Sequence, residues 1–308
     1  MRILVTGASG RLGLNLALKA ADLGHEVIAW SGSRVLQGAP FASRSVDLTV
    51  YSKLGKEIDA EAPEAIINCA AFTNLELAER EPWLAEGINA TVPGELARLA
   101  AERGMRFIQI STDAVFDGQK GDYSEEDAPN PVNVYGRTKL EGEKRVLHYH
   151  PGACVARVVF YSWGPEGKPS LAEFFYDHLA AEHTVSGFTD AIFSPLYGPQ
   201  LAETLLEILD AELHGVYHCF GADSLSKYAF GVALAREFGL DETLVSPKSA
   251  LEFNPDTPRA LNLSMDSSKL ATALGHALPG LDAGLEALHA DLQSGLRLRL
   301  LGMSPKEG

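Results

Sequence analysis

The sequence predicts an α/β fold: a doubly wound parallel sheet followed by a smaller, less regular C-terminal lobe. Short runs rich in Ile and Val alternate with longer stretches of helical period up to about residue 160. Those runs are apolar on both faces, as strands are when helices cover both sides of their sheet. Beyond Phe160 the period is interrupted by Gly164-Pro165, Lys168-Pro169, Ser194-Pro195 and Gly198-Pro199, which marks the change of lobe.

Taken in order, strands are expected at 3–6, 26–30, 43–46, 65–68, 107–110, 154–159 and 216–219. Between them the pattern predicts helices at 12–23, stopped by Gly24, and at 50–60, capped by Thr49. Two more are predicted at 83–102, stopped by Gly104, and at 134–150, stopped by Pro151. In the second lobe helices are expected at 171–181, 200–209, 227–238 and 281–292.

Composition narrows the function classes. The 308 residues, 46% hydrophobic and 22% charged, suit a globular chain with a sizeable core. A formal charge of −15 repels phosphate backbones and anionic bilayers, so neither nucleic acid nor membrane is expected as a partner. Cys69, Cys154 and Cys219 each lie in an apolar run and are far apart, which reads as buried free thiols in a reducing cytoplasm. No apolar run reaches the ~18 residues of a membrane span, and the chain opens directly into Arg2-Ile3-Leu4-Val5-Thr6 with no secretory leader pattern. A soluble, cytoplasmic protein is expected.

Thr6-Gly7-Ala8-Ser9-Gly10-Arg11-Leu12-Gly13 lies where the first strand hands over to the first helix. Glycines there let the backbone approach a pyrophosphate, whose charge is favoured by the unpaired N–H groups of the following helix. A Rossmann-type dinucleotide site is therefore expected at Gly7, Ser9, Gly10, Arg11 and Leu12. An NAD site calls for an acid at the end of the second strand, but the chain reads Trp30-Ser31-Gly32-Ser33-Arg34. Ser31, Ser33 and Arg34 suit a 2′-phosphate, so NADP(H) is favoured over NAD(H).

Tyr135 and Lys139 stand four residues apart on a predicted helix and share one face. Ile110-Ser111-Thr112-Asp113 ends a strand at the carboxyl edge of the sheet, where ligands of this architecture bind. With the segments Asn68-Cys69-Ala70-Ala71-Phe72-Thr73, Ser111 through Gly118 and Asn133 through Glu143, the glycine loop resembles the extended short-chain dehydrogenase/reductases. Within them the chain is most similar to the dTDP-4-dehydrorhamnose reductase family. The match is dense over residues 1–150 and thinner beyond.

The resemblance implies an NADPH-dependent reductase acting on a keto group of a nucleotide-activated sugar or a related small carbonyl compound. The alternatives are a non-catalytic NADP-binding regulatory subunit, or a sugar-nucleotide epimerase or dehydratase. It assigns Tyr135 as general acid, Lys139 as the cation that lowers the phenol's pKa and holds the nicotinamide ribose, and Thr112 as donor to the carbonyl. It places Asp47 and Leu48 beside the adenine, Cys69, Ala70, Ala71 and Phe160 along the cofactor, and Asn89 as a water-mediated support for the lysine. It also implies a cofactor-binding domain over 1–160, completed by parts of 192–221 and 262–275, a substrate lobe in the rest of 161–308, and a possible homodimer.

Two departures bear on substrate. Ala114 stands where relatives carry Tyr, and Phe160, Tyr161 and Trp163 are expected to bring aromatic area to the pocket, so dTDP-4-dehydrorhamnose is expected to be a poor substrate and a bulkier or differently substituted keto compound preferred. Lys168 and Arg259 either meet a diphosphate or stay solvated. No metal site is expected: His214 and His218 are separated by a predicted strand, and His148 and His150 sit at a helix end. The acidic stretch 122–127 is expected to be a solvated loop.

Overall fold

The structure, a computed structural model, describes residues 1–33, 35–252 and 257–303. The first half runs β1 (Arg2–Thr6), α1 (Arg11–Asp22), β2 (Glu26–Ser31), β3 (Ala42–Ser45), α2 (Tyr51–Glu61), β4 (Ala65–Asn68), α3 (Leu75–Arg80), α4 (Pro82–Glu86), α5 (Val92–Glu102), β5 (Arg106–Thr112), α6 (Val134–Tyr149) and β6 (Cys154–Val158). The second runs β7 (Phe160–Tyr161), α7 (Leu171–Ala180), β8 (Val185–Phe188), β9 (Ile192–Phe193), β10 (Leu196–Tyr197), α8 (Gly198–Asp210), β11 (Gly215–Cys219), β12 (Leu225–Ser226), α9 (Lys227–Glu237), β13 (Val245–Lys248), β14 (Asn262–Leu263), α10 (Ser268–Leu274), α11 (Leu281–Gln293) and α12 (Leu296–Met303).

Seven strands form one parallel sheet in the order β11-β6-β5-β4-β1-β2-β3. Alternation along each strand sends successive side chains to opposite faces, so Ile3, Val5, Ile67, Ile108 and Ala156 enter one core while Leu4, Ile66, Phe107 and Val155 enter the other. The first core is closed by α1 and α8, the second by α2, α5 and α6. The strand order reverses at β1 and β4, and the crevice outside their carboxyl ends is where such a sheet takes a ligand. The second lobe carries three small sheets: β7 with β10, β8 with β13, and β12-β9-β14.

Several elements differ from expectation. The helix predicted over 83–102 is divided into α4, one wide π-helical turn at Gly87–Thr91, and α5. Pro93 explains the break, because it has no N–H to give the Asn89 carbonyl four residues earlier and its ring crowds that oxygen. Thr49 does not cap α2, whose N-cap is Val50; the Thr49 N–H and hydroxyl both donate to Asp47 Oδ1, at 2.9 and 2.6 Å. The stretch 122–127 is not a free solvated loop. Tyr123 is buried, its N–H donates to the Ser264 carbonyl at 3.0 Å, and Glu125 Oε1 accepts from the His218 N–H at 2.7 Å.

Candidate active site

The glycine loop is shaped by backbone proximity. Gly7 adopts φ +64°, and a Cβ there would lie 2.6 Å from the Ala70 nitrogen, so the β1–α1 and β4–α3 crossings touch only because Gly7 has no side chain. The N-cap of α1, Gly10, offers no side-chain acceptor and the first turn carries no acid. The Gly10 N–H is taken by the Gly7 carbonyl at 2.9 Å, and the amides of the first helical turn beyond it are left to whatever anion enters the crevice.

Two clefts meet at this loop. One, of about 580 Å³, is bordered by Ser9, Gly10, Arg11, Leu12, Cys69, Ala71, Thr112, Tyr135, Lys139 and Phe160 among others. The other, of about 600 Å³, is bordered by Gly7, Ser31, Ser33, Asp47, Leu48, Cys69, Ala70 and Ala71. Ser9, Gly10, Cys69 and Ala71 line both, so the two run together past the helix end. Ser31 is buried with its hydroxyl lacking a partner, an orphan donor facing the second cleft. These features fit a nicotinamide dinucleotide: bare amides for a pyrophosphate, and an acid-free strand end with an unpaired hydroxyl for the adenosine half. Arg34 lies outside the described residues. Arg11 is committed elsewhere: it pairs with Glu173 at 2.6 Å and donates to the carbonyls of Ser162 (3.1 Å) and Lys168 (2.8 Å), fastening the segment before α7 to α1.

At the other end of the first cleft, β5 delivers Thr112 and α6, capped by Asn133 on the Gly136 N–H, delivers Tyr135 and Lys139. Burial pushes the Tyr135 phenol up to about 12, opposed by a hydrogen bond with Thr112 and reinforced by the Asp113 carboxylate. The Lys139 ammonium donates to the Ile110 carbonyl at 2.6 Å, and burial brings it down to about 8 while the Glu143 carboxylate holds it up. Asp113 accepts from the Thr112 hydroxyl at 3.0 Å, and burial lifts its carboxyl to about 6 despite Thr112 and Lys227.

Asn89 borders neither cleft. Its Oδ1 accepts from the Phe72 N–H (2.8 Å), and its amide donates to the Phe72 carbonyl (3.0 Å) and the Thr138 hydroxyl (3.1 Å), locking the segment after β4 against α6. The Asn89 carbonyl, turned out by the wide turn, comes so close to α6 that a Cβ on Gly142 would meet it at 2.1 Å. The residue braces the helix that carries Lys139.

Several sequence-derived expectations are corrected. Tyr161 and Trp163 are 1% and 0% exposed and belong to the main core, Trp163 donating to the Leu288 carbonyl at 2.9 Å; only Phe160 reaches the cleft. Alternation along β7 puts Phe160 and Tyr161 on opposite faces. Arg259 pairs with Glu76 at 2.9 Å, whereas Lys168 is exposed at the rim of the first cleft. All three cysteines are free, but Cys69 is half-buried and lines both clefts. No cluster of three or more His, Cys, Asp or Glu suited to a metal occurs among the described residues, nor any helix long and apolar enough to cross a membrane.

Sequence reasoning missed a buried ion pair behind the site, Glu143 with Arg157 at 2.8 Å, although the regular four-residue series Tyr135, Lys139, Glu143 signalled its acidic member.

The model of the RmlD substrate binding domain matches residues 1–294. A probable low-salt glycan biosynthesis reductase of Haloferax volcanii is 33% identical over 94% of this chain and 98% of its own length. A dTDP-4-dehydrorhamnose reductase of Mycobacterium tuberculosis is 34% identical over 88% and 87%. Methionine adenosyltransferase 2 subunit beta of Bos taurus is 32% identical over 90% and 84%. Among solved structures, a dTDP-4-dehydrorhamnose reductase of Clostridium acetobutylicum superposes with TM-score 0.84 at 29% identity, covering 95% of this chain and all of that one. One from Bacillus anthracis, in complex with NADP, does so with TM-score 0.84 at 26% identity, covering 94% and 99%. With the glycine loop, the Thr112–Tyr135–Lys139 wall and these matches together, the chain belongs to the RmlD substrate-binding-domain family of the extended short-chain dehydrogenase/reductases.

Proposed function

We propose that the chain is an NADPH-dependent reductase of a keto group on a nucleotide-activated sugar or a related small carbonyl compound. The observation that carries this is the convergence of Thr112, Tyr135 and Lys139 on one wall of a cleft that begins at the glycine loop. When bound, a nicotinamide cofactor supplies the hydride. The Arg11 and Leu12 amides take its pyrophosphate where the Gly10 backbone lets it approach, Ser31 and Ser33 its 2′-phosphate, Asp47 and Leu48 flank the adenine, and Lys139 holds the ribose near the nicotinamide. Cys69, Ala70, Ala71 and Phe160 wall the groove. Thr112 donates to the substrate carbonyl oxygen, and Tyr135, with a phenol fully protonated at neutral pH, gives that oxygen its proton.

The cofactor-binding domain is taken as 1–160 with parts of 192–221 and 262–275, and the rest of 161–308 as the substrate lobe. A cytoplasmic location and a homodimer belong to the same reading. A non-catalytic cofactor-binding subunit is less well supported, because Thr112, Tyr135 and Lys139 are all retained. Ala114 leaves the sugar-facing wall without a phenol, so dTDP-4-dehydrorhamnose is expected to be turned over below the ordinary kcat/KM range of ~10⁴–10⁸ M⁻¹s⁻¹.

The test is a panel of 4-keto nucleotide sugars, dTDP-4-dehydrorhamnose included, offered with NADPH or NADH and followed by cofactor absorbance. Oxidation of NADPH by at least one of them supports the reading. No turnover of any, with NADPH bound, overturns it, and NADH binding as tightly as NADPH overturns the cofactor preference.

A further inference from the structure

Lys139 stands at the head of a buried row of charges. One turn along α6, Glu143 projects from the same face, and both residues are 3% exposed. The Glu143 carboxylate accepts from the Ser111 hydroxyl on β5 and from Arg157 Nε and Nη2 on β6, at 3.0 and 2.8 Å. Arg157 lies over the Phe116 ring at 5.1 Å, with Nη1 3.4 Å from His218 Nε2 on β11. His218 is driven down to about 4 by burial and by Arg157, and is therefore neutral at working pH. From the cleft inward the charges alternate: the Lys139 ammonium, the Glu143 carboxylate, the Arg157 guanidinium.

The other groups that face Lys139 do not supply a counter-charge. The Ile110 carbonyl from β5 is neutral, and the Cys69 thiol beyond β4 is pushed up to about 12 and stays protonated. Asp113, also at the end of β5, is engaged with Thr112 and faces Lys227, and Tyr135 is a neutral phenol. Glu143 is thus the one carboxylate acting on the lysine among the described residues.

We propose that Glu143 is a positioning residue for the reaction, keeping Lys139 charged at the edge of the cofactor cleft, and that Arg157 sets the strength of that hold. The proposal rests on reading Lys139 as the cofactor's cationic contact. Its physical basis is that burial of an ammonium favours the neutral amine unless a nearby anion offsets it. The Glu143 carboxylate provides the offset, and Arg157 partly cancels it. Breaking a buried pair from either side lowers stability alike, so stability does not distinguish an electrostatic role from a structural one. The direction in which Lys139 moves does: Glu143→Gln removes the attraction, and Arg157→Met removes the opposition.

The experiment is competitive acetylation of Lys139 by acetic anhydride in the cofactor-free protein across pH, read by peptide mass spectrometry, beside NADPH affinity by fluorescence over the same range. The wild-type midpoint is expected near 8. Glu143→Gln should lower it by about one unit, and a tenfold loss of NADPH affinity at alkaline pH follows from the smaller protonated fraction. Arg157→Met should raise it, and the double variant Glu143→Gln/Arg157→Met, which leaves neither member of the Glu143–Arg157 pair buried without its partner if a single variant fails to fold, should sit between the single variants and below wild type. Midpoints unchanged, or moved in the same direction by both single substitutions, overturn the proposal. A double variant that keeps the wild-type midpoint overturns it too. If the midpoints move as expected while NADPH affinity ignores them, the positioning of Lys139 stands and its cofactor role fails.

Discussion

The two rims of the catalytic cleft are built by different means. On the glycine rim, where β1 meets α1, the backbone sets the shape: a left-handed Gly7 presses against Ala70, and the helix end is bare. On the chemical rim, where β5 meets α6, buried side chains set the properties: Thr112 with Asp113, Tyr135 driven up by burial, and Lys139 backed by Glu143 and Arg157. A backbone-built rim is specified by a few adjacent residues and tolerates changes that leave its φ angles alone. A charge-built rim draws partners from β5, α6, β6 and β11, and a change at any of them alters the protonation of the others.

Substitutions on each rim sharpen the contrast. The largest effect is expected from Tyr135→Phe, which removes a proton donor and little volume: turnover should fall by about 10²–10⁴-fold while NADPH affinity stays within about twofold. Steady-state kinetics beside a binding titration would show this, and full activity in the variant would remove Tyr135 from the chemistry.

On the opposite rim, Gly7→Ala forces a Cβ into the Ala70 backbone at a positive φ. A stability loss of about 2–4 kcal/mol in urea unfolding is expected, together with weakened cofactor binding. An unchanged midpoint would mean that the β1–α1 turn has room that the geometry denies.

A smaller effect, of opposite sign, is expected at Asp113. Its carboxyl is lifted to about 6, while an unfolded Asp titrates near 3.9, so burial outweighs the pull of Lys227. A raised pKa means that the folded state holds the proton more tightly. The contribution to stability is complete below about pH 4, is lost as pH rises through 6, and leaves a cost at neutral pH. Asp113→Asn should therefore be more stable than wild type at pH 7 by on the order of 2 kcal/mol, and its stability should vary less between pH 4 and 6. Unfolding midpoints at the two pH values decide it. Equal pH dependence in both proteins would place the carboxyl in water.

The rims differ just as much in how readable they were. Gly7 through Gly13 and strand β4 follow from adjacent residues, because a tight turn and a strand buried on both faces leave local marks. Helix α3 escaped notice because six residues are too few for a period to register. The break at Gly87–Thr91 has its mark in Pro93, which lies inside the span 83–102 that the periodicity predicts as one helix. Arg157 looked like an ordinary strand residue, since its meaning lies in Glu143, on a different element. Trp163 was assigned to the pocket on its aromatic character, whereas its position after the β7 alternation carries it into the core. For Arg157 what the sequence hid was a relation between distant segments.

The strand order has a consequence for how the chain is made. β6 lies beside β5 as soon as residue 158 exists, but its other edge is filled only by β11, at Gly215–Cys219. Until then a growing chain carries an unpaired row of N–H and C=O groups beside a largely apolar strand, a template for pairing with another copy. The contacts that cover it span roughly sixty residues of sequence, and closing such loops slows folding. A fragment ending near residue 160 should therefore aggregate instead of folding alone, and production of the protein is governed by how quickly the later lobe brings the seventh strand to that edge.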